Sequence, residues 1–141
     1  MSLANGLAYR KVAAIIRLVE FVRYKRIVLM GKDGEKWFRV VSKGISNPEV
    51  KCEHGPDVEL SLTNEVIVWF DAPTEPVIQL GATNSIWIFF DFEQNGSLLC
   101  FERLINDSRV SQTYRLKSSG IAFFNERFQK ENFVIKGKSA Y

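Results

Sequence analysis

The sequence predicts a mainly β domain of the α+β class: an N-terminal amphipathic helix packed on an antiparallel sheet of about eight strands, closed as a barrel or folded as a sandwich. Three observations predict it. Apolar residues recur at three-to-four spacing up to residue 23, apolar side chains alternate from Tyr24 onward, and glycine, proline or Asn-Gly separates the alternating segments. With 141 residues, 46% of them hydrophobic, the chain reads as one domain, residues 1–141, able to bury a sizeable core. Its 11 phenylalanines point to a core built on aromatic rings.

Residues 8–23 read as the helix. Ala8, Val12, Ile15, Ile16, Val19 and Val22 form one apolar stripe, with Arg10, Arg17 and Glu20 on the other side. Two alternating segments follow, Tyr24–Met30 and Glu35–Ser42. Between them Gly31-Lys32-Asp33-Gly34 reads as the tip of a β-hairpin. Lys43–Asp57 is irregular, with Pro48, Gly55 and Pro56. Val58, Leu60 and Leu62 alternate as a further strand, and Glu65–Phe70 forms the next. Asp71–Pro76 is a loop, since its two prolines exclude regular ladder pairing.

Ile86–Phe92 and Ser97–Phe101 flank a turn containing Asn95-Gly96, a strong hairpin signal. Strand parity places Ile86, Ile88, Phe90, Phe92, Leu99 and Phe101 on one side, with Trp87 and Phe89 on the other. A strand apolar on both faces is expected at the centre of a sheet, covered twice, and the N-terminal helix is a natural cover. Arg109–Leu116 is another strand and Phe133–Lys136 the last. Residues 119–129 fit either state and lean to strand. Helical crossovers of the βαβ type are not expected, because the spacers between the strands are too short to hold helices.

Chemistry-bearing patterns are sparse. His54, in Cys52-Glu53-His54, is the single histidine, so a closed zinc site lacks ligands and paired-histidine catalysis lacks a partner. No G-x-S-x-G and no glycine-rich loop ending in Lys-Ser/Thr is present, and Gly31 and Gly34 read as a hairpin tip without the helix that cradles phosphate. Asp91, between Phe90 and Phe92, is the one carboxylate with an apolar setting, and a single carboxylate specifies no reaction. Cys100 reads as a small buried hydrophobe, and Cys52 and Cys100 as reduced thiols. The expectation is a non-enzymatic protein with no metal and no cofactor.

No apolar run reaches the roughly 20 residues that span a bilayer, and no secretory signal is visible, so a soluble, cytoplasmic protein is expected. Residues 1–30 hold six basic groups and one acid, as a mitochondrial presequence would, but only one serine, and they run into the strand pattern unbroken. Charge is segregated. Residues 1–44 carry +7, residues 45–100 carry −8 and residues 101–141 carry +4, so oppositely charged segments are expected to neighbour one another.

The candidate binding residues are Tyr24, Arg26, Trp37 and Arg39. A four-residue turn in the first hairpin puts Arg26 opposite Arg39, a repulsive pair unless an anion lies between them, with Tyr24 and Trp37 alongside. The function expected is an interaction module for a protein partner, of inhibitor, adaptor or immunity type. Homo-oligomerisation is compatible with the sequence. The alternatives are single-stranded nucleic-acid binding through that basic and aromatic face, and carriage of a small apolar ligand.

Overall fold

A computed structural model describes residues 10, 13, 14, 16, 17, 24–55, 58–92 and 96–135. Seven strands form one mixed sheet in the order β2-β1-β3-β4-β6-β5-β7. They are β1 (Arg26–Met30), β2 (Lys51–His54), β3 (Val66–Trp69), β4 (Ser85–Phe89), β5 (Gln112–Arg115), β6 (Gly120–Phe124) and β7 (Glu131–Val134). Three helices interrupt them: α1 (Gly34–Gly44), α2 (Glu75–Leu80) and α3 (Leu98–Ile105). The sheet-rich α+β expectation therefore holds at that level. Its details change: among the described residues there are seven strands, one open sheet with edges at β2 and β7 stands in place of the barrel or sandwich, and only part of the pairing is antiparallel.

β2, β1, β3 and β4 run parallel, β4 and β5 pair antiparallel with β6, and β7 is parallel to β5. Both predicted hairpins are replaced by strand–helix connections. Glu35–Ser42 lies inside α1, and Ser97–Phe101 enters α3 rather than returning along β4. The expectation against βαβ crossovers is likewise overturned, since α1 joins β1 to β2 and α2 joins β3 to β4. β1 is hydrogen-bonded on both sides, by β2 and β3, and β4 by β3 and β6. Neither has an open edge to accept a hairpin partner, so the following segment bonds to itself as a helix.

Alternation along the strands builds two cores. One face carries Val28, Ile67, Trp87, Phe89, Ala122 and Phe124, covered by Ile78 of α2 and by Cys100, Phe101 and Leu104 of α3. The other carries Ile27, Leu29, Val66, Val68, Ile86 and Ile88, covered by Val41 of α1 with Trp37, Phe38 and Val40 beside it. The predicted two-sided burial of the β4 strand is present, with Ile86 and Ile88 opposite Trp87 and Phe89. Phe92 and Phe101 instead join the Trp87 face, and Leu99 is exposed: Asp91, with φ +64°, breaks the strand alternation before Phe92, and Leu99 and Phe101 lie on α3. Val58, Leu60 and Leu62 pack on that same face in an extended crossover without a ladder.

Most of the predicted N-terminal helix lies outside the described residues. Arg10, Ala13, Ala14, Ile16 and Arg17 are helical, and Ile16 packs on the second core. The strand expected within 119–129 is β6, and that expected in 109–116 is β5 with trimmed ends; β7 begins at Glu131, two residues before the expected 133–136, and shares Phe133 and Val134 with it, while Lys136 lies outside the described residues.

Sheet order and helix placement create a topological switch point. From β1 the chain leaves along α1 over one face toward β2; from β3 it leaves along α2 over the opposite face toward β4. The loops after β1 and β3 meet where the Lys32 amide donates to Asp71 Oδ2 at 2.9 Å, and a crevice lined by Met30, Leu60, Trp69 and Val77 lies beside them.

Candidate interaction surface

The four predicted binding residues do not assemble on one face. Arg26 opens β1 with the parity of Val28, whereas Trp37 sits on α1 over the face of Ile27 and Leu29. Arg26 is engaged by the protein's own acids: Nη1 donates to Glu65 at 2.8 Å, and Nη2 donates to Glu53 at 2.8 Å and to the Glu59 carbonyl at 2.6 Å. These carboxylates hold its guanidinium above the usual arginine value, the Glu53 hydrogen bond contributing most. Trp37 is half-buried, 6.2 Å from the Phe90 ring, with the Lys36 ammonium 5.2 Å above its centroid. Tyr24 donates from its hydroxyl to Asn84 Oδ1 at 3.3 Å, and burial pushes that hydroxyl up. Arg39 is exposed on α1. The predicted opposition of Arg26 and Arg39 thus disappears with the hairpin.

The two sheet edges differ in kind. β2, Lys51-Cys52-Glu53-His54, is short and polar, and the His54 ring rests 4.4 Å from Phe38 of α1. Charge and a covering helix are the usual protections of an edge strand. β7 has neither. Phe133, Val134 and Ile135 are 37%, 63% and 44% exposed. The Glu131 and Ile135 amides donate to Ser111 and Arg115 of the β5 side at 2.9 and 2.8 Å. Strand alternation therefore turns the N–H and C=O groups of Asn132 and Val134 away from β5, toward the open side.

An aromatic row runs from the β6 side to this edge. Phe128 meets Phe123 at 6.1 Å, Phe123 meets Tyr114 at 5.6 Å, and Tyr114 stacks on Phe133 at 4.9 Å with planes 16° apart. Among the described helices, α1 lies over β1 and β2 and α3 packs against β6, so these rings stay partly exposed. The strand expected at 133–136 overlaps β7 only at Phe133 and Val134, and its edge position was not foreseen. Three consecutive apolar residues after a polar stretch are the available signal; edge position comes only from sheet order.

A cleft of about 440 Å³ lies nearby, between Leu80, Arg109, Phe124, Phe128 and Lys130. Its cations already hold protein groups. Arg109 donates to the Ile78 and Gln79 carbonyls that end α2 and to Asp107, and Lys130 donates to the Asp107 and Val110 carbonyls. The Arg109 hydrogen bond holds the Asp107 carboxyl below the usual range. The cleft is a satisfied joint between α2 and the loop before β5.

Both thiols are free, and burial dominates their chemistry. Cys52 is pushed up to about 11 by burial and then by Glu53, and Cys100 to about 11 by burial that outweighs Arg103. Only the thiolate is nucleophilic, so iodoacetamide at about pH 8 is expected to label the native protein slowly and the urea-unfolded protein fast. Rapid native labelling of either residue, read by peptide mass, contradicts this. Among the described residues, no three His, Cys, Asp or Glu side chains gather closely enough to hold a metal ion, and no helix is long and apolar enough to cross a membrane.

Compared with protein-family models, curated proteins and solved structures, the chain finds no match in any of the three.

Proposed function

We propose that this protein is a non-enzymatic interaction module whose partner is another protein, docked along β7 as an added strand. The observation that carries the reading is the bare apolar edge: Phe133, Val134 and Ile135 are exposed beside outward-facing backbone groups of Asn132 and Val134. Unpaired edge donors and acceptors are a template for an extended segment, and alternate side chains on such a strand supply specificity. The row Tyr114–Phe133, continued by Phe123 and Phe128, offers rigid rings for the partner's apolar residues. Residues 101–141 carry +4, so an extended segment flanked by acidic side chains is the complementary partner.

The test is affinity recovery from source cells with mass identification of a stoichiometric second chain, repeated with Val134→Lys. A charge on the open edge is expected to weaken partner binding by about tenfold or more. Leu99→Lys, on the solvent side of α3, is the control and should leave recovery unchanged. Equal binding by wild type and Val134→Lys overturns the reading. Recovery of nucleic acid in place of a protein chain, released steeply by salt, also overturns it.

A further inference from the structure

Charge divides the molecule by sheet side. Among the described residues, the arginines that form ion pairs all belong to the side covered by α2 and α3. Arg26 shares the parity of Val28, Arg103 lies on α3, Arg109 bonds the end of α2, and Arg115 bridges to Glu102 of α3. Lys36, Arg39 and Lys43 of α1, on the opposite side, are exposed and form no ion pair among the described residues.

Spacings of three and four residues bring these three cations into one row along the helix, away from the buried Val41. At ~1.5 Å per residue the row is about 10 Å long. Glu35, the one acid of α1, stands in the first turn to one side of it. Like charges at these spacings repel, whereas a helix face kept only for solvent ordinarily mixes its signs. A second basic stripe lies alongside. Ile16 packs against Gly44 at the end of α1, and Arg10 and Arg17, helical and exposed, stand seven residues apart on one stripe of that segment.

The surroundings of the row select the kind of anion. The exposed large apolar side chains of the described residues lie on α2, on α3 and between Phe128 and Ile135, none of them on α1. A lipid surface would meet charge there with nothing to insert. Trp37 is turned toward Phe90 and Tyr24 packs on the second core, so α1 displays no open ring for an unpaired base to stack on. A straight ridge of cations matches a duplex backbone, which carries one negative charge per roughly 1.7 Å of axis. Phosphate contacts of this kind position a protein without reading sequence.

We propose that the outer face of α1, with Arg10 and Arg17 beside it, binds the phosphate backbone of double-stranded nucleic acid irrespective of sequence. This surface is separate from the β7 edge and independent of the reading built on it.

The test is fluorescence anisotropy of a labelled DNA duplex of about 20 base pairs, titrated with the full chain. Three phosphate contacts alone make the affinity fall about 40-fold between 50 and 200 mM salt, and a duplex of unrelated sequence should bind equally well. Arg39→Ala and Lys43→Ala are each expected to weaken binding and to lower the salt slope by about one. Arg103→Ala removes the same charge from the other side of the sheet and should bind as the wild type does. No binding up to about 100 μM protein at 50 mM salt, a flat salt response, or equal weakening by Lys43→Ala and Arg103→Ala would overturn the proposal. Binding to phosphatidylserine vesicles without binding to the duplex would also overturn it. The wild-type salt series stands alone if a variant fails to fold. Failure here leaves the β7 edge untouched, because none of these cations lies on it.

Discussion

Arg26→Met is expected to lower the stability of the protein by about 3–5 kcal/mol, read as a shift of the urea unfolding midpoint at constant slope. Glu65 explains the size. Its side chain is fully buried, and its carboxylate accepts hydrogen bonds from Arg26 Nη1 at 2.8 Å, Ser61 Oγ at 3.0 Å and the Leu62 amide at 2.8 Å. Arg26 is the one cation in that set. Removing it leaves a desolvated negative charge with neutral donors only, and an uncompensated buried charge costs more than the lost contact itself. Substituting both partners, Arg26→Met with Glu65→Gln, is expected to recover a large part of the loss. A glutamine oxygen still accepts from Leu62 and no charge remains. If the single variant loses less than about 1 kcal/mol, the pair behaves like an exposed surface ion pair and this account of the node is wrong. The same geometry bears on any binding measurement. Loss of activity in an Arg26 variant would report the fold, whereas Arg39, exposed on α1, can be changed without touching this network.

Arg26 also marks where sequence reasoning reached its limit. Trp37, Arg39 and Val41 alternate like a strand, yet Trp37, Val40 and Val41 also recur at helical spacing, and short apolar runs fit both periods. The cues that break the tie were present: Asp33 at the helix start, Glu35 in the first turn, Lys43 in the last and Gly44 at the end. The deciding influence is non-local. β2 and β3 occupy both sides of β1, and β2 itself, four residues with mixed polarity, carries almost no strand signal. A reader who cannot see β2 leaves the edge of β1 open and fills it with the next segment. Ser97–Phe101 reads as a hairpin partner for the same reason, because β6, which closes the second side of β4, arrives later in the chain. Legible in advance were the elements with strong local pattern: the two-faced Ile86–Phe89 run, the strand at Val66–Trp69, and the later strands of the antiparallel half. The candidate surfaces were not legible. An edge is defined by the absence of a neighbour and a switch point by the divergence of two connections, and neither is a property of a segment.

Trp87→Ala is the second large expectation, a loss of about 3–5 kcal/mol with weakened near-ultraviolet circular dichroism. Trp87 sits mid-strand in β4, opposite Ile67 of β3 and Ala122 of β6. It is fully buried, with ring centroids 5.4 Å from Trp69, 4.8 Å from Phe124 and 6.4 Å from Phe89. The cost of such a truncation depends on how far the surroundings collapse into the space left behind. Collapse is restricted here from both sides. The ladders to β3 and β6 hold the backbone at fixed spacing, and the neighbour in β6 is already an alanine, whose methyl group has no rotamer that could swing inward. This strand is also the seam between the parallel and antiparallel halves, so loosening it acts on the switch-point crevice through Trp69 and on the β6 side through Phe124. Trp87→Phe fills most of the volume and is expected to cost clearly less, while Leu99→Ala, on a side chain 73% exposed, should cost almost nothing. A Trp87→Ala variant as stable as Leu99→Ala would mean that the halves are not joined through this core. Each would then have to unfold on its own, as two separate transitions in a single urea titration.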